Sequence, residues 1–276
     1  MKKGTLIGKG READVFYWGN NQVLKLFQEG TSKNYIEFEF NLGKLVEKYY
    51  KFAPKVFEVL KIDNRGGILY EYINGKPMTE IILENPLKIR KFAKTFAKLH
   101  VEMHKHRINE IRKQKDYFEK RIRNENLLTS FQKDIIIKYL RNLNHDSILC
   151  HGDFHLENVL VTKNGFFVID WSVLTAGNRY ADIARTLYIL KHSHDSSASQ
   201  RSSFLNFIIK FFRFYFVNKY LRSYKRLTKL SLKQVKKWSL VIYAIRLGEG
   251  ILEEQEFLLS AIDNDINKLT KNKTNI

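Results

Sequence analysis

The stretch of residues 151–172 reads HGDFHLENVLVTKNGFFVIDWS and constrains the fold more than any other part of the chain. It contains two β-prone runs, VLV at 159–161 and FFVI at 166–169, with an Asn-Gly step between them. An Asn-Gly step flanked by such runs is the strongest short-range signal for a β-hairpin. The sequence therefore predicts a hairpin whose two-residue turn is formed by Asn164 and Gly165.

The open end of this predicted hairpin carries polar side chains. With the turn at those two residues, the ladder pairs Val159 with Asp170 and places Asn158 one step further out. Cross-strand neighbours lie about 5 Å apart, so an amide oxygen and a carboxylate are expected to converge. Oxygen ligands of this kind suit Mg²⁺, which completes its shell with water and phosphate oxygens. Asp153 lies in the loop just before this end and contributes a third polar oxygen.

The same residues are spaced as in the kinase catalytic loop, H-R-D-x-x-x-x-N, which is followed by a metal-binding Asp. His151, Asp153, Asn158 and Asp170 fill these positions, and Gly152 stands where kinases have the Arg. HGDFHLEN followed by IDW resembles the aminoglycoside phosphotransferase family, a kinase-like group that phosphorylates small molecules. The resemblance implies that Asp153 is the catalytic residue, that Asn158 and Asp170 bind the metal, and that His151 supports the loop.

A Gly-rich segment, GKGREAD at residues 8–14, resembles the kinase Gly-rich loop, with Ala13 in place of the third Gly. Gly8 and Gly10 would let backbone amides approach phosphate oxygens that a Cβ would keep away. The segment matches neither the nucleotide P-loop nor the full dinucleotide fingerprint. In the apolar strand that follows, Lys25 resembles the kinase lysine that holds the α- and β-phosphates and pairs with a helix Glu.

The helix predicted over residues 35–49 is expected to supply this glutamate. Its apolar residues recur at three- and four-residue spacing, which indicates an amphipathic helix. Glu37 and Glu39 both lie in its first turns. The usual spacing in the family favours Glu39, because of its distance in sequence from the strand entry at residues 53–56. Glu37 stays an alternative.

The run LYEYING at residues 69–75 resembles the hinge between the lobes of kinase-like proteins, where backbone groups bind the nucleotide base. Glu71, Tyr72 and Ile73 are therefore predicted to contact the nucleotide, without a choice between ATP and GTP. Asn-Gly and Pro steps near residue 74 indicate a boundary. We predict an α+β, bilobal protein-kinase-like fold. Residues 1–73 would form a β-rich nucleotide-binding lobe with an antiparallel sheet and one helix. Residues 74–276 would form a larger helical lobe with the catalytic loop and the acceptor site.

Helical periodicity dominates the second part of the chain, with predicted helices at 134–143, 204–221 and 238–262. The segment DIART matches the family, in which its Asp, here Asp182, caps a buried helix and braces the catalytic loop. The last predicted helix carries an acidic cluster. Glu249 and Glu253 are predicted there as contacts of a cationic or amine-bearing acceptor. A Ser-rich exposed loop is predicted at residues 194–203.

Two histidines of the predicted helical part, His100 and His104, have the four-residue spacing of some zinc ligands. The sequence HVEMH is not H-E-x-x-H, and no third ligand is placed by the sequence. A structural role is therefore favoured for both.

The composition indicates a folded chain, because 44% of its 276 residues are hydrophobic. The single cysteine, Cys150, excludes an intramolecular disulfide and fits a reducing compartment. Neither a signal peptide nor a run of about 18 uncharged apolar residues is visible. We therefore expect a cytoplasmic protein without a transmembrane segment.

The chain carries a formal net charge of +19. Its basic residues are spread along the sequence, but residues 201–237 hold eleven Lys or Arg and no acid. Such segments are usually solvated faces. The favoured arrangement of residues 204–221 is a helix whose aromatic side chains pack inward while its basic side chains reach solvent.

Taken together, the motifs predict a Mg²⁺-dependent kinase. It would transfer the γ-phosphoryl group of ATP or GTP to a hydroxyl group of an aminoglycoside-like or other hydroxylated, amine-bearing small molecule. One alternative is a basic module that binds nucleic acid or an anionic membrane on a kinase-like scaffold. The other is a pseudokinase that binds nucleotide without turnover.

Overall fold

The computed structural model of the protein describes residues 4–10, 12–192 and 202–274. The chain forms two compact units. The N-terminal unit contains residues 1–87 and 156–174, and the C-terminal unit contains residues 88–155 and 175–276. The hairpin predicted after the catalytic loop therefore belongs to the N-terminal unit. The boundary near residue 74, which was inferred from the hinge motif, stays a prediction.

The N-terminal unit is built on a five-stranded antiparallel sheet with the strand order β1-β2-β3-β5-β4. Its strands are β1 (Thr5–Lys9), β2 (Ala13–Gly19), β3 (Gln22–Phe27), β4 (Val56–Ile62) and β5 (Arg65–Glu71). In β3, Lys25 lies between Val15 of β2 and Ile68 of β5. The lysine is thus on a central strand beside the hairpin that carries the Gly-rich segment.

Helix α1 (Lys33–Tyr49) packs on this sheet. The Ser32 side chain caps its first turn by accepting a hydrogen bond from the Tyr35 amide at 3.3 Å. Its buried residues recur at helical spacing: Ile36, Glu39, Leu42, Gly43 and Val46. Because Glu39 lies on this apolar face, its carboxylate points toward the interior of the unit.

A second, three-stranded sheet contains β6 (Lys76–Pro77), β8 (Val159–Thr162) and β9 (Gly165–Val168), with helix α2 (Met78–Glu84) following β6. The predicted hairpin is present as β8 and β9, but its predicted register is wrong. The ladder pairs Val159 with Val168 and Thr162 with Gly165, so Lys163 and Asn164 form the turn.

Local hydrogen bonding explains the shift in register. The Thr162 hydroxyl accepts a hydrogen bond from the Asn164 amide at 3.1 Å and donates one to the Gly165 carbonyl at 3.1 Å. Gly165 directly follows the turn and has a positive φ of 148°, which glycine adopts more easily than any other residue. As a result Asp170 lies beyond the ladder, and the Ile169 amide donates to the Asn158 carbonyl at 3.0 Å.

The C-terminal unit is mostly helical. Its elements are α3 (Ile89–Met103), α4 (Gln114–Arg123), α5 (Ser130–Asn142), β7 (Ile148–Cys150), β10 (Thr175–Gly177), α6 (Arg179–His192), α7 (Ser203–Leu227), α8 (Leu232–Lys236), α9 (Ser239–Leu247) and α10 (Leu252–Thr274). Strands β7 and β10 pair antiparallel on either side of the catalytic-loop sequence. The predicted fold class, an antiparallel sheet with one helix and a larger helical C-terminal part, is confirmed.

One predicted helix is wrong in its extent. The pattern over residues 238–262 is divided into α9 and α10 at Gly248-Glu249-Gly250, where Gly250 has a φ of 69°. Glu249 therefore lies in a connection and not on a helix. The loop predicted at residues 194–203 lies outside the described residues, apart from its last two positions. Within the part of the chain that the structure describes, no helix is both long and apolar enough to cross a membrane.

The β7–β10 pair offers a test of the packing that supports the catalytic-loop sequence. A Cβ on Gly177 would lie 2.4 Å from side-chain atoms of Gln114, which is 1% exposed. We expect Gly177→Ala to lower the free energy of unfolding by about 1–3 kcal/mol, because neither group has room to move. In Gly8→Ala, the new Cβ would meet Val15 at an ordinary 3.6 Å. Denaturant unfolding should therefore distinguish the two variants, and an equal effect would contradict this packing.

Candidate active site

In the N-terminal unit, Lys25 is enclosed by acidic groups. Its Nζ lies 2.6 Å from Glu39 Oε1 and 3.8 Å from Asp170 Oδ1, and its side chain is 19% exposed. Of the two candidate glutamates, Glu39 is the partner of Lys25, whereas Glu37 lies 3.4 Å from Lys33 on the surface. Strand β3, helix α1 and the segment after β9 thus bring one cation and two carboxylates together.

The electrostatics of this group follow from its burial. Burial by itself lowers the pKa of Lys25, but the carboxylates of Asp170 and Glu39 outweigh it and raise the pKa above its usual value. Burial also raises the pKa of Glu39 despite the neighbouring ammonium. Its Oε1 accepts from Lys25 and, at 3.3 Å, from the Tyr70 hydroxyl, while its Oε2 is buried without a hydrogen-bond partner. Lys25 is therefore a protonated cation in this environment.

Asn158 and Asp170, the predicted metal ligands, lie at the open end of the β8–β9 hairpin. Asn158 directly precedes β8, and Asp170 lies two residues after β9. Asp170 has the left-handed φ of 62°, which its short polar side chain tolerates better than most. Its side chain is 46% exposed, and its Oδ1 accepts a hydrogen bond from the Ser172 hydroxyl at 3.0 Å. Asn158 is buried, with 8% exposure. The two side chains offer a carboxylate oxygen and an amide oxygen, which are hard-oxygen donors of the kind that suits Mg²⁺.

The Gly-rich segment is closed by a short turn. The Gly10 amide donates to the Ala13 carbonyl at 2.9 Å, and Glu12 Oε2 accepts a hydrogen bond from the Tyr35 hydroxyl of α1 at 3.0 Å. Gly8 lies in β1, opposite Val15. Arg11 is outside the described residues. The backbone of the segment is thus held to α1 next to the Lys25–Glu39 pair.

The predicted hinge residues make several hydrogen bonds within the N-terminal unit. The Glu71 amide donates to the Lys55 carbonyl at 2.9 Å, and the Tyr72 amide donates to the Asn21 carbonyl at 2.7 Å. The Ile73 carbonyl accepts from the Gly75 amide at 2.8 Å. Since each amide has one hydrogen to donate, the amides of Glu71 and Tyr72 are already committed within the fold.

In the C-terminal unit, Asp153 contacts His151, His155 and Arg185. Its amide donates to His151 Nδ1 at 3.2 Å, its Oδ2 lies 3.3 Å from His155 Nε2, and its Oδ1 lies 3.4 Å from Arg185 Nη2. Burial by itself raises the pKa of Asp153, but the hydrogen bond with His155 and the charge of Arg185 outweigh it. The pKa is well below its usual value, so Asp153 is a carboxylate at neutral pH.

Asp182 braces the loop that carries Asp153. The carboxylate accepts hydrogen bonds from the His151 amide at 3.0 Å and from the Gly152 amide at 2.8 Å. It lies in the fourth position of α6, so the predicted capping role is wrong. Asn178 caps this helix instead, because its Oδ1 accepts from the Tyr180 amide at 2.9 Å.

His100 of α3 and His104, which directly follows this helix, complete the surroundings of Asp182. His100 Nε2 and His104 Nε2 each lie 3.1 Å from Asp182 Oδ2, and these three residues have the spacing of a possible metal site. The opposite ring nitrogens lie 2.8 Å and 2.7 Å from the hydroxyls of Tyr220 and Tyr224 in α7. With every ring nitrogen in a hydrogen bond, the geometry favours the structural role predicted for both histidines.

Sequence reasoning missed the role of arginines in this unit. Arg185, which occurs in the DIART motif, contacts Asp153 and lies 2.5 Å from Glu249. Arg246 lies 2.6 Å from the other oxygen of Glu249. Both carboxylate oxygens of Glu249 therefore form ion pairs with guanidinium groups. Glu253 lies on α10 and is exposed. The spacing of Arg185 from the catalytic-loop sequence was the available signal, but its partners are distant in the chain.

Comparison with known proteins places these residues in a family context. A family model, the phosphotransferase enzyme family, matches residues 3–208. A protein of Metamycoplasma hominis without a described function is 27% identical over 174 residues, which cover 60% of this chain and 33% of that protein. A LicA homologue of Mycoplasma capricolum subsp. capricolum is 22% identical over 173 residues, covering 61% of this chain and 67% of that protein. The match thus spans a third of the first relative and two thirds of the second.

Solved structures resemble the chain over most of its length. An aminoglycoside-3'-phosphotransferase of type VIII has a TM-score of 0.61 at 15% identity, with 87% of this chain and 91% of that chain covered. APH(2'')-IIa in a ternary complex with streptomycin and ATP has 0.61 at 19% identity, with 95% and 91% covered. A choline/ethanolamine kinase family protein from Mesorhizobium loti has 0.55 at 12% identity, with 97% and 86% covered. These likenesses show a kinase-like fold.

The buried histidine cluster predicts how stability depends on pH. Burial and the neighbouring His104 lower the pKa of His100 from 6.5 to about 3. Between these values the unfolded chain binds a proton that the folded chain does not bind, so the free energy of unfolding falls as the pH falls. The slope from this one group is at most about 1.4 kcal/mol per pH unit.

Urea unfolding between about pH 7 and about pH 5, a range that spans the ordinary histidine pKa of about 6.5, measures this slope. His100→Gln should be less stable than the wild type at pH 7 but should lose less stability on acidification. His145→Gln is the matched control, because His145 is exposed, and it should keep the wild-type slope. Equal slopes in the wild type and His100→Gln would contradict the prediction.

Proposed function

Because the chain belongs to the phosphotransferase enzyme family, whose model matches residues 3–208, we propose that it is a Mg²⁺-dependent small-molecule kinase. It would transfer the γ-phosphoryl group of a nucleoside triphosphate, ATP or GTP, to a hydroxyl group. The observation that carries this proposal is the placement of Lys25 between Glu39, at 2.6 Å, and Asp170, at 3.8 Å. A partly buried cation that two carboxylates hold in place suits the binding of phosphate oxygens.

In the proposed mechanism, Lys25 binds the α- and β-phosphates, and Glu39 fixes the direction of its ammonium group. Gly8 and Gly10 let backbone amides approach the phosphates. Asn158 and Asp170 would hold Mg²⁺, which supplies positive charge to the phosphate oxygens when it is bound. Glu71, Tyr72 and Ile73 stay the proposed contacts of the nucleotide base, through backbone groups other than the committed amides of Glu71 and Tyr72.

Asp153 is proposed to orient the acceptor hydroxyl and to receive its proton as the phosphoryl group is transferred. A carboxylate with a lowered pKa is a weak base. Such a base suits a loose transition state, in which the attacking oxygen keeps its proton until late. The contribution of Asp153 is therefore mainly positional. Its supports, His151 and Asp182, hold the loop backbone through the hydrogen bonds described above.

The acceptor is proposed to be a hydroxylated small molecule with an amine or another cationic group. APH(2'')-IIa was solved with streptomycin, and another similar structure is a choline/ethanolamine kinase family protein. Glu249 and Glu253 stay the proposed contacts, although two arginines neutralise Glu249. The net charge of +19 repels polycations, so a singly charged acceptor is favoured. A cytoplasmic location is proposed from the sequence alone.

A phosphate-transfer assay with Mg²⁺, ATP or GTP and a panel of amino alcohols and aminoglycosides tests the proposal. Asp153→Asn and Asp170→Ala should each lower kcat by about 10²–10⁴-fold, because orientation of the acceptor or charge neutralisation is lost. A wild-type protein that binds nucleotide in calorimetry but transfers phosphate to no acceptor would favour the pseudokinase alternative.

The two glutamates of α1 provide a matched pair for the same assay. Glu39→Gln should lower kcat/KM for the nucleotide, because Lys25 loses its partner at 2.6 Å. Glu37→Gln removes an equal charge two residues away, where the carboxylate meets only an exposed lysine, and should behave as the wild type. Equal effects of the two changes would contradict the assigned role of Lys25.

A further inference from the structure

The C-terminal unit contains a chain of ion pairs that ends at Asp153. Arg246 binds Glu254 at 2.7 Å and Glu249 at 2.6 Å. Glu249 in turn binds Arg185 at 2.5 Å, and Arg185 lies 3.4 Å from Asp153. These ion pairs connect α10 and the α9–α10 connection to the catalytic loop through α6.

Arg185 is the central member of this chain. Its side chain is 8% exposed, and its Nε donates a hydrogen bond to the Gly152 carbonyl in addition to the two ion pairs. Its Nη1 is buried without a hydrogen-bond partner. A guanidinium group presents its donors in a rigid plane. The contacts with Gly152, Asp153 and Glu249 therefore fix both the position and the rotation of this plane.

Stability alone is a poor explanation for this arrangement. The desolvation of buried ions offsets most of their mutual attraction, so apolar replacements of a buried ion pair are often neutral or stabilising. Taken as whole residues, Arg185, Arg246 and Glu254 are 6%, 8% and 5% exposed. The ion pairs do place the cation of Arg185 against one oxygen of the proposed catalytic carboxylate, Asp153. This placement points to a role in the reaction.

We propose that Arg185 is a positioning residue, which holds Asp153 and the Gly152 carbonyl in one arrangement and is itself clamped from behind by Glu249. This inference rests on the proposed function, because it concerns how Asp153 meets the acceptor. Glu249 then acts through Arg185 on the catalytic loop. Its predicted contact with the acceptor is not needed to explain its place in the fold.

The charges around Asp153 determine what the loss of Arg185 does. Arg185 faces Asp153 from α6, and His151 and His155 face it from its own loop; Glu249 and Arg246 lie behind Arg185. Removal of the guanidinium takes away one of the positive charges that lower the pKa of this partly buried carboxylate. Burial then counts for more, so the pKa of Asp153 rises, and Asp153 becomes protonated at a higher pH than in the wild type.

Steady-state kinetics of the full chain over a range of pH test this inference. Arg185→Gln should lower kcat by about 10²-fold through misplacement of Asp153, with the nucleotide KM little changed. The pKa of Asp153 should rise in Arg185→Gln, so any acid limb that Asp153 sets in the kcat/KM profile should lie at a higher pH than in the wild type. Arg185→Lys keeps the charge, so it should lower kcat but keep the wild-type pH profile. Glu249→Gln should lower kcat less than Arg185→Gln does.

Arg179→Gln is the matched control, since Arg179 begins the same helix and packs on the Tyr180 ring. It should retain the kcat and the pH profile of the wild type. Titration of the Asp153 carboxyl carbon by NMR, assigned with Asp153→Asn, gives a readout that needs no turnover. A wild-type protein that transfers no phosphate would remove the proposed function, and the NMR titration would still decide on Arg185. Identical titrations of Asp153 in the wild type and Arg185→Gln would overturn the inference.

An independent observation concerns the outer face of α7. Phe207, Phe211 and Phe214 follow at i, i+4 and i+7 and are 66%, 56% and 68% exposed. They form one stripe along the helix, on the side opposite to the buried Phe216 and Tyr220. The expectation that the aromatic side chains of this helix pack inward is therefore wrong for these three. An exposed apolar stripe of this kind marks an interaction surface.

The charge of the same helix indicates the partner. Helix α7 has six cationic residues and no acid: Lys210, Arg213, Lys219, Arg222, Lys225 and Arg226. The stripe is a convex line whose phenyl rings carry no hydrogen-bonding atoms. It therefore fits a flat apolar layer beneath anionic groups better than it fits base edges. Aromatic and basic side chains together are typical of helices at a lipid interface.

We infer that the outer face of α7 docks on an anionic lipid bilayer. Sedimentation with phosphatidylcholine vesicles that contain or lack phosphatidylglycerol tests this. The wild type should bind only the anionic vesicles. The combined change Phe207→Ser, Phe211→Ser and Phe214→Ser should weaken this binding by about tenfold or more. Phe131→Ser should not, although Phe131 on α5 is 66% exposed.

Three results would overturn the docking proposal. The first is the absence of binding to anionic vesicles, and the second is equal binding by the wild type and the triple variant. The third is a wild-type dimer that the triple variant abolishes, because the stripe would then be a contact between copies of this chain. Tighter binding to single-stranded RNA than to anionic vesicles, with the same loss in the triple variant, would likewise replace the lipid surface by nucleic acid.

Discussion

One buried carboxylate organises the C-terminal unit. Asp182 has no exposed side-chain surface, and such a group is costly unless donors surround it. It meets four: the amides of His151 and Gly152 and the rings of His100 and His104. Burial alone would raise the pKa of Asp182, but the two histidines outweigh it and keep the pKa well below its usual value. Helices α3 and α6 and the start of the catalytic loop are thereby joined, and the loop backbone is set before any ligand binds.

The same physical rule governs the proposed reacting groups. In the N-terminal unit a partly buried cation, Lys25, is kept charged by Asp170 and Glu39. In the C-terminal unit a partly buried anion, Asp153, is kept charged by His155 and Arg185. Each group that is proposed to act on phosphate or on the acceptor is thus ionised at neutral pH by partners of opposite charge. The two groups differ in how their partners are held. The partners of Lys25 come from neighbouring elements. Arg185, the partner of Asp153, is itself held by a series of ion pairs that reaches α10.

The sequence predicted the elements better than their ends. The antiparallel sheet, helix α1 and the β8–β9 hairpin follow from apolar spacing and turn residues that act within a few positions of each other. The hairpin register was wrong by one turn position, because the Thr162 hydroxyl bonds to the turn that it precedes. The helix predicted over residues 238–262 was broken at Gly250, whose positive φ reflects how the chain must bend there. Periodicity does not contain either effect, since both arise from specific hydrogen bonds and directions of the backbone.

By itself, the sequence determined the family, the fold class and the identities of the proposed phosphate, metal and catalytic residues, because these depend on residue types at short, regular spacings. The family's usual spacing already favours Glu39 as the partner of Lys25, but only the tertiary structure removed Glu37 as an alternative, because the choice depends on which face of α1 packs on the sheet. Tertiary structure alone also placed Arg185 between Asp153 and Glu249 and left three phenylalanines of α7 exposed. These contacts join segments 32 or more residues apart or depend on what covers a helix face, and no local pattern encodes them.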